Sequence, residues 1–145
     1  MTERTGRTVD LEAEKKAILA LHEDARRAHF ATDVEAALEG LADEQLILRG
    51  GTMEVVPVEA LRESMTGYFA GATFHEWDDL APPVIEISDD GTLAWMANRL
   101  KVRLTRVDES GDEAESAFVY SGILTYRKVD GKWIRTGNAS TFAEP

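Results

Sequence analysis

From residue 9 to residue 30 the apolar positions recur at helical spacing: Leu11, Ile18, Leu21, Ala25 and Ala28 are three, four or seven apart. Asp10 stands where an N-cap is needed. Glu12 and Glu14 in the first turns and Arg26 and Arg27 near the end all suit the helix dipole. Thr32 or Asp33 is placed to cap a second, short helix through Leu41, with Val34, Ala37, Leu38 and Leu41 on one face. Residues 45–49 read as a short strand that ends at the turn Gly50-Gly51. Pro57 is a start signal for a third helix over residues 58–70, whose apolar face is Leu61, Met65, Tyr68 and Phe69.

Beyond this point the period changes from helical to two. Residues 73–88 read as an irregular strand, in which Pro82-Pro83 cannot donate ladder hydrogen bonds and so marks an edge, a bulge or a break. Asp89-Asp90-Gly91 is a turn. Residues 92–107 form a long strand with Ala94, Met96, Asn98, Leu100, Val102 and Leu104 on one face. Trp95, Ala97, Arg99, Lys101 and Arg103 lie on the other. Residues 108–115 are an acidic loop, 116–129 the next strand, and 132–142 the last, joined by the hairpin signal Asp130-Gly131.

Helices followed by long hairpin-linked strands predict an α+β fold in which the N-terminal helices pack on one face of a mainly antiparallel sheet. There is no internal repeat, low-complexity tract or linker, so a single domain is expected over residues 9–145 behind a flexible stretch, 1–8. The uncovered face carries Trp95, Val119, Ile123 and Trp133 among its charges. Such a mixed face suits a homodimer through the sheet.

Composition narrows the function classes. A chain of 145 residues with 43% hydrophobic content can build a core without staples. It has no cysteine, which excludes disulfides, thiolate metal sites and cysteine nucleophiles. That absence agrees with a cytoplasmic location. The formal net charge of −11 argues against nucleic acid and anionic membranes as partners. No apolar run approaches the roughly 18 residues that span a bilayer, and residues 1–7 lack the apolar core of a signal peptide.

Several runs resemble the nuclear transport factor 2-like superfamily in its SnoaL-like branch. They are Asp33-Val34-Glu35-Ala36-Ala37-Leu38 after the first helix, the acidic turn Ala42-Asp43-Glu44, the run from Asp89 into Trp95, and the ending Asp130-Gly131-Lys132-Trp133. Their order covers residues 9–142. The resemblance implies a strongly curved, cone-like sheet of the cystatin-like α+β barrel type, closed by the helices over an internal pocket. It also implies dimers through the outer sheet face. Members include isomerases, dehydratases, cyclases, hydrolases, binding modules and assembly domains, so the fold alone leaves function open.

The candidate chemistry is sparse. His22 and His29, seven apart on the first helix, lie close to its apolar stripe. They are candidates for a general acid or base. The plainer reading is a packed histidine bonded to a carboxylate or carbonyl, and it is preferred. Two turns put them about 10 Å apart along the axis, so they do not jointly ligate a metal. His75 has carboxylate neighbours, but alternate strand residues point to opposite faces, and no metal or cofactor is expected. Asp33 is read as a cap.

If Met96, Leu100 and Val102 face the helices, Asn98 does too, and Tyr120, Leu124 and Tyr126 share that inner face. With Asn138 on the last strand and Tyr68 and Trp77 as walls, these residues make a largely apolar pocket with a few orienting polar groups. The plainer reading, that they satisfy one another, is preferred. Against the enzymes of the superfamily, strands 92–107 and 116–129 carry no acid. The last strand reads Gly137-Asn138-Ala139-Ser140 where many relatives carry histidines. The expectation is a domain that binds a small, largely apolar molecule. The alternatives are a proton-transferring isomerase, dehydratase or cyclase acting on a small cyclic substrate, and a dimeric interaction module with a vestigial pocket.

Overall fold

A computed structural model describes residues 8–145, so the expectation for residues 1–7 lies outside the described residues. Helix α1 (Leu11–Ala31) begins at Asp10, whose carboxylate accepts from the Ala13 N–H at 3.1 Å. Helix α2 (Val34–Leu38) begins at Asp33, which accepts from Ala36 N–H in the same way. It stops at Leu38 and does not reach Leu41, because Gly40 takes a positive φ of 81° and turns the chain into a strand. Strand β1 (Leu41–Arg49) therefore starts earlier than its apolar run suggests. It is followed by an unforeseen strand, β2 (Thr52–Pro57), then helix α3 (Val58–Phe69).

The C-terminal half supplies the rest of the sheet. Strands β3 (Ala72–Asp79) and β4 (Val84–Ile87) flank the Pro82-Pro83 break, and both pair with β5 (Leu93–Val107). Strand β6 (Glu113–Val129) starts inside the segment read as a loop, since Glu113 and Glu115 pair with Val107 and Thr105. Strand β7 (Lys132–Ala143) completes the hairpin. The seven strands form one curved, unclosed sheet in the order β2-β1-β7-β6-β5-β3, with β4 beside β5. All neighbours are antiparallel except β1 and β7.

The inner face of the sheet packs on α1 and α3 in two clusters. One joins Ile18 of α1 to Ile87, Ala94, Met96, Leu124, Tyr126 and Trp133. The other joins Phe69 of α3 to Phe74, Trp77, Leu100, Val102 and Leu104. The alternation read along β5 therefore places its buried set correctly. Trp133 is the exception. Expected on the outer face, it is 6% exposed inside the core, and its indole N–H donates to Glu14 Oε1 at 3.1 Å.

The reversal has a local cause. The two-residue turn Asp130-Gly131 fixes Val129 opposite Lys132, and from there Tyr126 faces Arg135. Further along, Thr125 faces Gly137, so Thr136 is an extra residue in β7. Gly137 is held in register from the other side by its parallel pairing with Leu46. A Cβ on Gly137 would lie 2.4 Å from the Leu46 carbonyl oxygen, so only glycine admits this approach. With both ends pinned, the surplus residue bulges. The bulge puts Trp133 and Arg135 inside, where strict alternation from Asn138 would put Ile134 and Thr136.

Candidate functional site

Between the inner sheet face and the three helices lies a cavity of about 1270 Å³. Its rim runs past exposed Arg27, Asp33, Glu39, Arg49 and Phe142. Its wall includes Tyr68 of α3, Trp77 of β3, and Met96, Asn98 and Leu100 of β5. Tyr120, Leu124 and Tyr126 of β6 and Asn138 of β7 are also on it. All nine side chains named from the sequence, those grouped by strand register together with Asn138, Tyr68 and Trp77, thus line this cavity. Burial raises the Tyr68 and Tyr126 phenols to about 12 and moves Tyr120 in the same direction. All three are neutral hydroxyls at neutral pH. Asn98 Oδ1 is buried without a hydrogen-bond partner, so one polar group of the wall is unsatisfied by the protein.

Both histidines of α1 also line the cavity. His22 is 4% exposed and is paired through Nε2 with Asp79 Oδ1 at 2.8 Å. His29 Nδ1 lies 2.7 Å from the Ala25 carbonyl oxygen. A carbonyl only accepts, so Nδ1 carries the proton and Nε2 is left with its lone pair. The rings of Tyr68, Phe69, Phe74 and Trp77 all lie within 6.1 Å of the His29 ring centroid. Burial among them lowers its pKa below the usual 6.5, and nearby Arg135 lowers it further. His75 is elsewhere, exposed and 3.0 Å from Thr105 Oγ1. Asp33 caps α2 as read from the sequence. Among the described residues no cluster of three or more His, Cys, Asp or Glu could hold a metal ion.

The lowered pKa of His29 fixes a sign for stability against pH. Near pH 6.5 the unfolded chain binds more protons than the folded one. The contribution is whole above 6.5 and is lost as pH falls toward the folded pKa. The melting temperature is expected to drop between about pH 7 and pH 5. A smaller drop is expected in His29→Gln. Equal slopes in the two proteins, measured by differential scanning calorimetry, would contradict a buried neutral ring.

Among the wall residues that were not anticipated, Arg135 carries a charge. Arg135 enters through the Thr136 bulge, opposite Tyr126 on β6. Its backbone is held on both sides: its N–H donates to the Gly40 carbonyl at 2.8 Å, and its carbonyl accepts from Gln45 Nε2 at 2.8 Å. The signal that could have revealed it is Gly137, a glycine inside a strand, which often marks a bulge or a close approach.

The fold is that of the nuclear transport factor 2-like and ketosteroid-isomerase-like proteins, also called cystatin-like. One similar structure, from Exiguobacterium sibiricum 255-15, is described as a candidate calcium/calmodulin-dependent kinase II association domain. It is 11% identical, with 97% of this chain and 99% of that one covered at a TM-score of 0.71. A ketosteroid isomerase-like protein from Erwinia carotovora atroseptica SCRI1043 is 16% identical over 91% and 98% of the two chains, with a TM-score of 0.66. A nuclear transport factor 2-like protein of unknown function from Shewanella oneidensis MR-1 is 15% identical over 87% and 97%, with a TM-score of 0.55. No protein-family model and no curated protein matches the sequence.

Proposed function

We propose that this protein binds a small, largely apolar molecule in the cavity between its sheet and its helices. The observation that carries the reading is the cavity itself: about 1270 Å³, walled by aromatic and aliphatic side chains, with a few inward polar groups. That is the usual make-up of a small-molecule site. The neutral dye Nile red tests it. Its fluorescence should rise on titration with the protein, and native mass spectrometry of the freshly purified protein should show a bound small molecule. No enhancement up to the dye's solubility limit, with a bare protein mass, would defeat the reading.

A second reading, proton-transfer catalysis on a small cyclic substrate, is favoured by His29. Its neutral ring, with Nε2 unprotonated, is the form a general base requires.

The same proposal includes a homodimer through the outer sheet face. Cross-strand register aligns Met53, Leu48, Ala139, Ile123, Ala97 and Val84 in one row across six strands. Met53 is 72% and Val84 55% exposed. A continuous apolar row on a sheet face supports a partner surface there. The similarity to a candidate association domain supports self-association, without indicating a surface. Sedimentation velocity should show a dimer at micromolar concentration and a monomer for the double variant Leu48→Lys, Ile123→Lys. A monomeric parent protein would remove the dimer.

A further inference from the structure

We infer that the ligand of this cavity is a monocarboxylic acid with an apolar body, its carboxylate received by the guanidinium of Arg135. The inference rests on the binding reading above and specifies its ligand class.

The argument begins with a cation the protein does not balance. Arg135 lies on the cavity wall, and its Nε is buried with no hydrogen-bond partner. Among the described residues its guanidinium belongs to none of the ion pairs. A guanidinium cannot escape this by losing its proton. Arg135 as a whole is partly buried, and a charge so far withdrawn from water and left unpaired is costly, a cost that an anion entering the cavity would offset.

The surroundings select the partner. Burial pushes the guanidinium below its ordinary pKa, and the groups acting in the other direction are the phenols of Tyr126 and Tyr120, not carboxylates. Neutral phenols are donors, so they add hydrogen-bonding capacity for an anion without neutralising the cation. His29, also on the wall, is either neutral or cationic and so cannot serve as counter-ion to an arginine.

The charge count favours a monoanion. The other cations of the cavity, Arg27, Arg49 and Lys132, are all exposed. Arg27 is already paired with Asp24, and the Arg49 guanidinium sits 5.8 Å from the Phe142 ring centroid. A phosphate monoester would bring about two charges to one interior cation. A carboxylate matches both the charge and the planar fork of a single guanidinium. Met96, Leu100, Leu124 and Trp77 then receive an apolar body.

Isothermal titration calorimetry with defined probes tests this. The probes are 4-phenylbutyrate and decanoate, each against its primary amide, with inorganic phosphate as a third probe. Wild-type protein should bind each acid about 10- to 100-fold more tightly than its amide, the range of a hydrogen bond to a charged group. Arg135→Met should erase that preference while still binding Nile red. Acid and amide of equal affinity in the wild type would overturn the inference, as would phosphate binding more tightly than either acid. These results need no variant, so a misfolded Arg135→Met leaves the test intact. Nile red bound with no preference for acid over amide refutes the carboxylate alone. Neither Nile red nor acid bound refutes the cavity reading as well.

Discussion

Gly71→Ala is expected to cost roughly 3 kcal/mol or more of stability, combining a left-handed backbone penalty with a steric clash. Gly71 joins α3 to β3 with a φ of +67°. A Cβ built there lies 2.2 Å from the Val107 carbonyl oxygen and 3.3 Å from its carbon. The contact cannot be relaxed by a side-chain rotation, because the opposing atoms are backbone. That backbone is itself tied down, with the Val107 N–H donating to the Gly71 carbonyl at 2.9 Å where β3 and β5 begin to pair. Gly131→Ala is the internal control. Gly131 also has positive φ, +80°, but a Cβ there meets nothing within 4 Å. It should lose only the conformational part, about 1 kcal/mol. Urea denaturation of the two variants separates the terms. Losses within about 0.5 kcal/mol of each other, the limit at which independent changes are resolved, would show that the close approach at Gly71 is not real.

Trp77→Ala should lose about 3–5 kcal/mol, the range for removing a buried large aromatic. Trp77 is 7% exposed. Its ring lies between two histidines, 5.2 Å from His22 and 5.0 Å from His29, centroid to centroid. Its carbonyl accepts from Arg26 Nε at 3.0 Å, which ties β3 to α1. Truncation therefore opens a void where the helix and sheet meet, next to a cavity already present. It also admits water to His29, whose pKa is held down first of all by burial. Two readouts should move together: the denaturation midpoint falls, and the His29 titration followed by NMR shifts upward toward 6.5. A stability loss under about 1 kcal/mol would mean that the indole is not the packing element described.

Much of the fold was legible because local chemistry and global structure agree. Asp10 and Asp33 cap the helices they precede, and the alternation from Ala94 to Leu104 matches the buried face of β5. Two of the features that escaped did so for different reasons. Strand β2 has no buried–exposed alternation, with only Val56 partly buried, so nothing but its pairing with β1 identifies it. Trp133 and Arg135 were misplaced or overlooked because alternation carries parity forward from one residue to the next, and a bulge reverses that parity. The reversal is set by two constraints far apart in sequence, the Asp130-Gly131 turn and the Leu46–Gly137 pairing. The candidate site divides along the same line. Its apolar and amide wall follows from β5 and β6, whereas its one interior cation depends on the bulge.

The parallel pairing of β1 with β7 also has a consequence for the order in which the molecule assembles. Leu46 to Leu48 must wait for Gly137 to Ala139, some ninety residues later. Until then the β1–β2 hairpin has only its own partner and the helices, and the inner wall lacks Arg135, Asn138 and Trp133. Loop closure over so long a separation is entropically slow. During synthesis the sheet therefore completes only after residues 135–139 have left the ribosome. An exposed β1 edge in the nascent chain is the stage at which assembly is most open to aggregation.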